Sequence, residues 1–317
     1  MKRRFPQTVL ATVCVPWDAR QRFMEDPFRQ QLRALQVAGI EDIYIFGTAG
    51  EGYAVDTARF RDVTQLFYDL TEGKTARPEV GVIALSTANC IERIAMAYEI
   101  GFRIFQISLP CWGALNDQEL MTFFHDVCST FPDSRFVHYD LDRVKRRLCA
   151  EDYARICDAE PNVVAAKITG RDLDKAISIM RQAPQLQPFF TEPLFAKASR
   201  YGACSQLSAY APLSPALAWR YFEAGRDKRL ETLDTLADRY QQLGQFLSEA
   251  IGPERHMDGV YDKIIARLGK HEMPLRLLSP YQSATEAEYL ECERVYRERF
   301  AHWFNDVNDT IASEKAS

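Results

Sequence analysis

The sequence predicts a (β/α)8 barrel, the α/β TIM-barrel fold class, with a C-terminal helical domain, and two features of the chain support this prediction. Short apolar runs rich in β-branched residues recur about eight times, and segments with helical spacing lie between them. After about residue 226 this alternation stops and only helical patterns follow. We therefore predict a catalytic barrel over residues 1–226 and a helical bundle over residues 227–317.

The predicted strands are nearly continuous in apolar residues, which is typical of a parallel sheet that is buried on both faces. They lie within residues 8–16, 40–48, 79–86, 103–110, 134–141, 163–170, 187–192 and 203–209. A strand and a helix repeated about eight times in roughly 220 residues match the size of a (β/α)8 barrel. An open doubly wound sheet is the alternative. It usually has fewer strands and more often has a glycine-rich first turn, which residues 15–21 lack.

Helical patterns separate the early strands. Residues 26–39 place Phe28, Leu32 and Leu35 on one face, and Gly39 lies where a helix would end. The next three helices are predicted to begin at the N-cap residues Asp56, Thr87 and Asn116. In the C-terminal part, helices are predicted within residues 229–251, 259–270 and 283–304.

Composition and charge narrow the class of protein. The 317 residues are 47% hydrophobic and 26% charged, which is typical of a globular protein with a sizeable core. The net charge is −5, and the densest basic cluster, residues 143–147, fits a solvated loop as well as an anion site, so no nucleic-acid partner is expected. Eight scattered cysteines favour a reduced, cytoplasmic protein. No stretch approaches the roughly 18 apolar residues of a membrane span, so no membrane partner is expected.

Lys167 is the only charged residue within the apolar run 163–170. Burial lowers the pKa of a lysine and so supplies the neutral amine that attacks a carbonyl carbon. A buried lysine that pairs with a carboxylate on a neighbouring strand fits the same pattern. From the residues alone, both interpretations stay open.

Two further elements lie at predicted strand ends, where barrel enzymes carry their chemistry. Tyr139 ends the fifth strand, and its hydroxyl could transfer protons during a carbonyl reaction, although a lone tyrosine is more often a core aromatic. Residues 47–51, Gly-Thr-Ala-Gly-Glu, follow the second strand. Glycines let the backbone approach a small anion, and Thr48 with the adjacent amides can hold a carboxylate. By itself such a loop is a weak signal.

Together these elements make the sequence resemble the dihydrodipicolinate synthase and N-acetylneuraminate lyase family of pyruvate-dependent class I aldolases. That family has a Gly-(Thr/Ser)-Thr-Gly-Glu loop after strand two, a Tyr-Asn-x-Pro element after strand five and a Schiff-base lysine on strand six. Here the matching residues are 47–51 (GTAGE), 139–142 (YDLD) and 167–170 (KITG). The resemblance extends through nearly the whole chain, and the Lys167 match is its most specific part.

The resemblance implies a lyase that holds pyruvate or another 2-oxo acid as a Schiff base on Lys167 and breaks or makes a carbon–carbon bond. It implies that Tyr139 is the general acid and base, and that Thr48 either binds the carboxylate or relays protons to Tyr139. The residues predicted to bind substrate are Gly47, Ala49, Gly50, Glu51, Trp112, Arg143, Glu192 and Ser205. No metal and no organic cofactor are implied. A homodimer or homotetramer is expected.

Three departures from the family pattern concern the substrate. Ala49 removes one hydroxyl from the loop, so the carboxylate is expected to rest more on backbone amides. The segment after Tyr139 lacks the family's Asn and Pro, so Arg143 binds substrate only if the altered loop lets it reach the barrel mouth. Trp112 stands where the lysine-pathway synthases carry a proton-relay tyrosine, and an indole N–H cannot accept and pass on a proton, which disfavours that activity.

Several substrates and functions stay open. Trp112, Phe189 and Phe190 could form an apolar wall for the aromatic acyl-pyruvates of the hydratase-aldolase branch, although they fit ordinary core positions equally well. One alternative is a dehydratase of a 2-keto-3-deoxy sugar acid, which would use the same iminium. Another is a related barrel that binds 2-oxo acids without turnover.

Overall fold

The structure, a computed structural model, describes residues 3–252 and 257–303. Within these ranges, parallel strands pair in chain order and β8 closes onto β1, which confirms the predicted (β/α)8 barrel. The strands are β1 (Val9–Thr12), β2 (Asp42–Ile45), β3 (Arg77–Gly81), β4 (Ile104–Ile107), β5 (Arg135–Asp140), β6 (Val163–Ile168), β7 (Gln187–Thr191) and β8 (Ser205–Ser208).

Helices alternate with these strands and then continue alone. The barrel helices are α1 (Glu25–Val37), α2 (Thr57–Thr71), α3 (Thr87–Ile100), α4 (Asp117–Thr130), α5 (Ala150–Ala159), α6 (Leu173–Gln182), α7 (Glu192–Ala198) and α8 (Pro215–Arg226). The C-terminal helices are α9 (Leu230–Ile251), α10 (Asp258–Leu268) and α11 (Glu286–Arg299). The end of α8 and the start of α9 lie on either side of the predicted boundary at residue 226. Residues 304–317 of the predicted bundle lie outside the described residues.

The predicted helix ends are largely confirmed. The side chains of Asp56 and Asn116 accept the backbone N–H of residues three positions later, at 2.8 and 2.9 Å, as N-caps do. The N-cap of α3 is Ser86 rather than the predicted Thr87, because the Ser86 hydroxyl is the group that accepts the Asn89 N–H. Gly39 follows α1 with a φ of 81°, a left-handed conformation that glycine adopts without steric cost.

The barrel interior explains why a lysine can stand alone on β6. Parallel register places Lys167 between Tyr139 of β5 and Phe189 of β7, and paired residues of a sheet point to the same side. Below it, Leu10, Tyr44, Val137, Phe189 and Leu207 belong to an apolar cluster inside the barrel. Lys167 therefore rises from an apolar floor toward the C-terminal mouth.

One C-terminal helix is tied directly to the barrel mouth. The buried Lys263 of α10 donates to the Glu51 carboxylate at 2.6 Å, and Glu51 belongs to the loop after β2. Because both side chains are completely buried, this ion pair is shielded from solvent. It fixes α10 above the strand ends. No helix in the two described ranges is both long and apolar enough to cross a membrane.

Candidate active site

A cavity of about 160 Å³ opens at the C-terminal ends of the barrel strands. Lys167, Tyr139, Thr48, Ala49 and Glu192 all line it, so five of the residues predicted from the sequence meet in one place. This end of the barrel is where βα-loops build the active sites of this architecture.

Lys167 is almost fully buried, with 2% of its surface exposed. Its Nζ lies 3.9 Å from the centroid of the Tyr139 ring and 4.0 Å from that of the Tyr44 ring. It makes no hydrogen bond and no ion pair with any residue that the structure describes, so the alternative of a carboxylate-paired lysine does not hold there. Burial lowers the pKa of Lys167 to about 7, although nearby carboxyl groups oppose this shift. A neutral amine is therefore well populated near neutral pH.

Tyr139 and Thr48 form a hydroxyl pair beside the lysine. The Tyr139 Oη and the Thr48 Oγ1 lie 3.0 Å apart, within hydrogen-bonding distance. Burial raises the pKa of Tyr139 to about 12, and the hydrogen bond from Thr48 partly opposes this effect. The phenol therefore keeps its proton at neutral pH and can donate it.

The loop after β2 approaches Lys167 through its backbone. A Cβ atom at Gly47 would lie 2.6 Å from Tyr44 Cε2 and 3.3 Å from Lys167 Nζ, so only glycine fits at this position. The backbone N–H groups of Thr48 and Ala49 donate to no other described residue, which leaves them available to an anion in the cavity. Gly50 packs against the backbone of the preceding residues instead, since a Cβ there would lie 2.6 Å from the Phe46 backbone nitrogen.

Glu51 does not face the cavity, contrary to the sequence prediction of a substrate contact. Its carboxylate accepts the indole N–H of Trp17 at 2.9 Å, the Lys263 ammonium at 2.6 Å and the Leu278 N–H at 2.6 Å. Since these donors surround a completely buried group, Glu51 anchors the loop to α10.

A model of the Dihydrodipicolinate synthetase family matches residues 6–295, which is most of the chain. The chain belongs to the dihydrodipicolinate synthetase family. The resemblance predicted from the GTAGE, YDLD and KITG segments is thereby confirmed, and so is the prediction of a carbon–carbon lyase of the aldolase type.

Relatives and solved structures agree with this assignment. The N-acetylneuraminate lyase of Salmonella typhimurium is 23% identical over 217 residues, which cover 68% of this chain and 71% of that protein. YagE of E. coli K12, solved in complex with pyruvate, has a TM-score of 0.84 at 14% identity and covers 93% of this chain and 98% of its own. CdNal of Clostridium difficile, solved with mannosamine, has a TM-score of 0.80 at 14% identity, with 92% and 98% covered. At these identities the structural likeness shows the shared fold.

Other predicted residues of this family member lie away from the cavity. Trp112 is 83% exposed, and its carbonyl oxygen accepts the Lys145 ammonium. Phe189 is inside the barrel, whereas Phe190 packs in the separate core between sheet and helices, so the predicted aromatic wall does not form in this chain. Adjacent residues on a strand point to opposite faces, which separates those two rings.

Ser205 and Arg143 also differ from the prediction. Ser205 begins β8, at the opposite end of the barrel from the mouth, and its hydroxyl accepts the Thr8 N–H and the Gln187 amide. It is a buried structural contact rather than a substrate ligand. Arg143 lies outside the lining, half-exposed, and donates to the Asp258 carboxylate at 3.0 Å. Because Asp258 does line the cavity, Arg143 reaches the rim and no further.

The sequence reasoning missed several lining residues. The strand pattern could have identified Tyr44, Thr169 and Thr191, because each lies on or next to the mouth-facing end of β2, β6 or β7. Asp258 and Asp262 come from α10, and no local sequence signal marks them.

Glu192, which was predicted from the sequence, has its pKa raised to about 7 by burial, and the N–H of Ala209 donates to its carboxylate at 2.8 Å.

Proposed function

We propose that Lys167 forms a Schiff base with pyruvate or another 2-oxo acid, and that the protein breaks or makes the carbon–carbon bond between C3 and C4 of the resulting adduct. The observation that carries the proposal is the unpaired Lys167 amine, with its pKa lowered to about 7, beside the hydroxyl pair of Tyr139 and Thr48. The pyruvate complex of the E. coli relative YagE supports the choice of 2-oxo acid.

The first steps form the iminium. The neutral Nζ attacks C2 of the 2-oxo acid, and the C2 oxygen leaves as water after it has been protonated. Of the two protons that this water gains, one comes from Nζ itself, and the buried Tyr139 phenol, which is neutral at working pH, donates the other and becomes a phenolate. The free N–H groups of Thr48 and Ala49 hold the substrate carboxylate. These backbone donors replace the side-chain hydroxyl that Ala49 lacks.

The iminium then accepts the electrons of the broken bond. In cleavage, the Tyr139 phenolate takes the proton of the C4 hydroxyl, and the C3–C4 electron pair moves into the iminium to give an enamine and a free aldehyde. The Tyr139 phenol formed in this step protonates C3, and water then hydrolyses the iminium, which releases pyruvate, restores the Lys167 amine and returns the surplus proton to Tyr139. The cationic nitrogen stabilises the charge that develops as the bond breaks, so it lowers the barrier for the chemical step.

The proposal is tested by supplying a panel of 4-hydroxy-2-oxo acids and coupling pyruvate release to lactate dehydrogenase. We expect turnover by the wild type and a loss of at least about a thousandfold in Lys167→Met. The matched control is Lys74→Met, since Lys74 is exposed on the loop before β3 and should leave the rate unchanged. If Lys167→Met keeps the wild-type rate, the proposal is wrong.

A further inference from the structure

Two carboxyl groups of the C-terminal domain reach into the cavity above Lys167. Asp258 and Asp262 stand four positions apart on α10, so both lie on the same face of the helix, and both line the cavity. The Asp258 carboxylate is paired with Arg143 at 3.0 Å. Asp262 is half-buried and has no hydrogen bond and no ion pair to any residue within the described ranges. Its carboxyl group is thus free to meet a ligand.

Asp262 shares its cavity with the nucleophile proposed above. The unpaired and nearly buried Lys167 amine points into the same cavity, and the cavity is only about 160 Å³. If the carboxylate of a 2-oxo acid rests on the loop amides, its C3 and C4 atoms extend toward the remaining walls. Those walls are the ends of β6, β7 and β8 and the face of α10, where Thr191, Glu192 and Asp262 lie. In that pose the second substrate would lie beside Asp262.

The charges of the lining determine which second substrate fits. The iminium on Lys167 and the carboxylate of the bound 2-oxo acid cancel, and Arg143 cancels Asp258. Asp262 and Glu192 make no ion pair with any residue in the described ranges. In keeping with this, burial and the neighbouring Asp258 raise the pKa of Asp262 to about 8, although Lys167 opposes the shift.

We propose that Asp262 is a specificity-determining residue that binds an ammonium group on the aldehyde partner, so that the site selects an amine-bearing aldehyde over one that carries a carboxylate. The proposal rests on the Schiff-base function proposed above. An ammonium group at this place pairs with ionised Asp262, whose proton is released, whereas a substrate carboxylate is repelled by Asp262 and Glu192 whenever either is ionised.

The test compares three aldehydes of similar length in aldol addition to pyruvate: 3-aminopropanal, 3-hydroxypropanal and succinic semialdehyde. In the wild type, we expect kcat/KM to fall in that order. In Asp262→Asn, kcat/KM for the amine should fall about tenfold, which corresponds to the loss of roughly 1.4 kcal/mol of binding. The value for succinic semialdehyde should rise, and that for the hydroxyl compound should change little. The control Glu272→Gln, an exposed residue beyond α10, should leave all three unchanged.

Borohydride trapping of pyruvate on the same preparations separates the two proposals. A trapped adduct in both wild type and Asp262→Asn shows that each retains an intact lysine site. If the adduct forms but the wild type shows no preference for the amine, or Asp262→Asn leaves the ratio between amine and carboxylate unchanged, the role of Asp262 is wrong and the Schiff base stands. If no adduct forms on the wild type, both proposals fail.

Discussion

The hydroxyl groups of Thr48 and Tyr139 lie 3.0 Å apart, next to a lysine amine that has no polar partner in the described parts of the chain. Thr48 comes from the loop after β2 and Tyr139 from the end of β5, so the pair spans the barrel mouth. Because Lys167 Nζ packs on the face of the Tyr139 ring, a proton donor and a nucleophile share one small cavity.

Removal of the phenol should affect turnover far more than folding. We expect Tyr139→Phe to lower kcat for pyruvate release by about 10²–10⁴, because the proton donor and acceptor is lost. Thr48→Val should also lower kcat, whereas Thr48→Ser, which keeps the hydroxyl, should restore most of it. Steady-state kinetics, together with thermal melting of each variant, check this. Equal rates in Thr48→Val and Thr48→Ser would show that the hydroxyl has no role.

A single added methyl group at Gly47 should displace the nucleophile. The Cβ of Gly47→Ala would lie 2.6 Å from Tyr44 Cε2 and 3.3 Å from Lys167 Nζ, so the tyrosine ring and the lysine must shift. We expect Schiff-base formation with pyruvate to slow by at least about tenfold, since misplacing a reacting group is costly. Gly113→Ala is the control, because a Cβ there meets nothing within 4 Å. Equal trapping rates in the two variants would contradict the geometry described for this loop.

The buried ion pair between Glu51 and Lys263 should be needed for stability. In Lys263→Met, the Glu51 carboxylate keeps the Trp17 and Leu278 donors but loses its cation while remaining completely buried. We expect the free energy of unfolding to fall by about 3–5 kcal/mol in chemical denaturation. The double variant Glu51→Gln with Lys263→Met should lose less than the sum of the single changes. Strict additivity would mean that the two side chains do not interact.

An exposed ion pair provides the comparison for this measurement. Arg294 and Glu298 on α11 pair at 2.9 Å, with more than half of each side chain exposed. Surface pairs of this kind contribute little to stability. Arg294→Met should therefore change the free energy of unfolding much less than Lys263→Met.

Glu79 should make stability fall as pH rises. It is completely buried on β3, in register with Tyr44, and neither carboxylate oxygen has a partner among the described residues. Burial raises the pKa of Glu79 well above its usual value, so the folded protein keeps a proton that the unfolded chain releases above about pH 4.5. A raised pKa in the folded state means that stability is lost as pH rises above the unfolded value.

The variant Glu79→Gln removes this titration. Near pH 4 it should match the wild type, and above about pH 4.5 the wild type should lose stability relative to the variant by about 1.4 kcal/mol for each pH unit over which the folded protein keeps the proton. Denaturation at several pH values checks this, with the exposed Glu272→Gln as a variant whose difference from wild type should stay constant. A constant difference for Glu79→Gln as well would show that Glu79 does not titrate on unfolding.

The fold and the inner part of the candidate site could be predicted because their signals are local. Apolar runs mark the strands, Lys167 is the lone charge in one of them, and Thr48 and Tyr139 stand at strand ends. Parallel strands in a closed barrel bring such ends to one mouth. These three residues could therefore be assigned to one site without knowledge of contacts between distant parts of the chain.

The outer part of the site could not be predicted because it depends on contacts that are distant in sequence. Asp262 lies on a helix of the C-terminal domain, and only the docking of α10 brings it over the cavity. Glu51 was predicted to contact substrate because it belongs to the loop after β2. Its backbone has a φ of 56°, and its side chain pairs with Lys263 instead. Ser205 lies in a predicted strand, yet its position at the start of β8 places it at the wrong end of the barrel.

The proposed Schiff base on Lys167 is tested most directly by borohydride trapping with pyruvate, followed by mass spectrometry of the intact protein and of its peptides. We expect one reduced pyruvate per chain, located on Lys167 and absent from Lys167→Met. The trapping rate should rise with pH through about 7 and then level off, because the reactive form is the neutral amine and the pKa of Lys167 is lowered to that value. A protein that traps none of several 2-oxo acids, or that carries the adduct on another lysine, would contradict the assignment of Lys167 as the nucleophile.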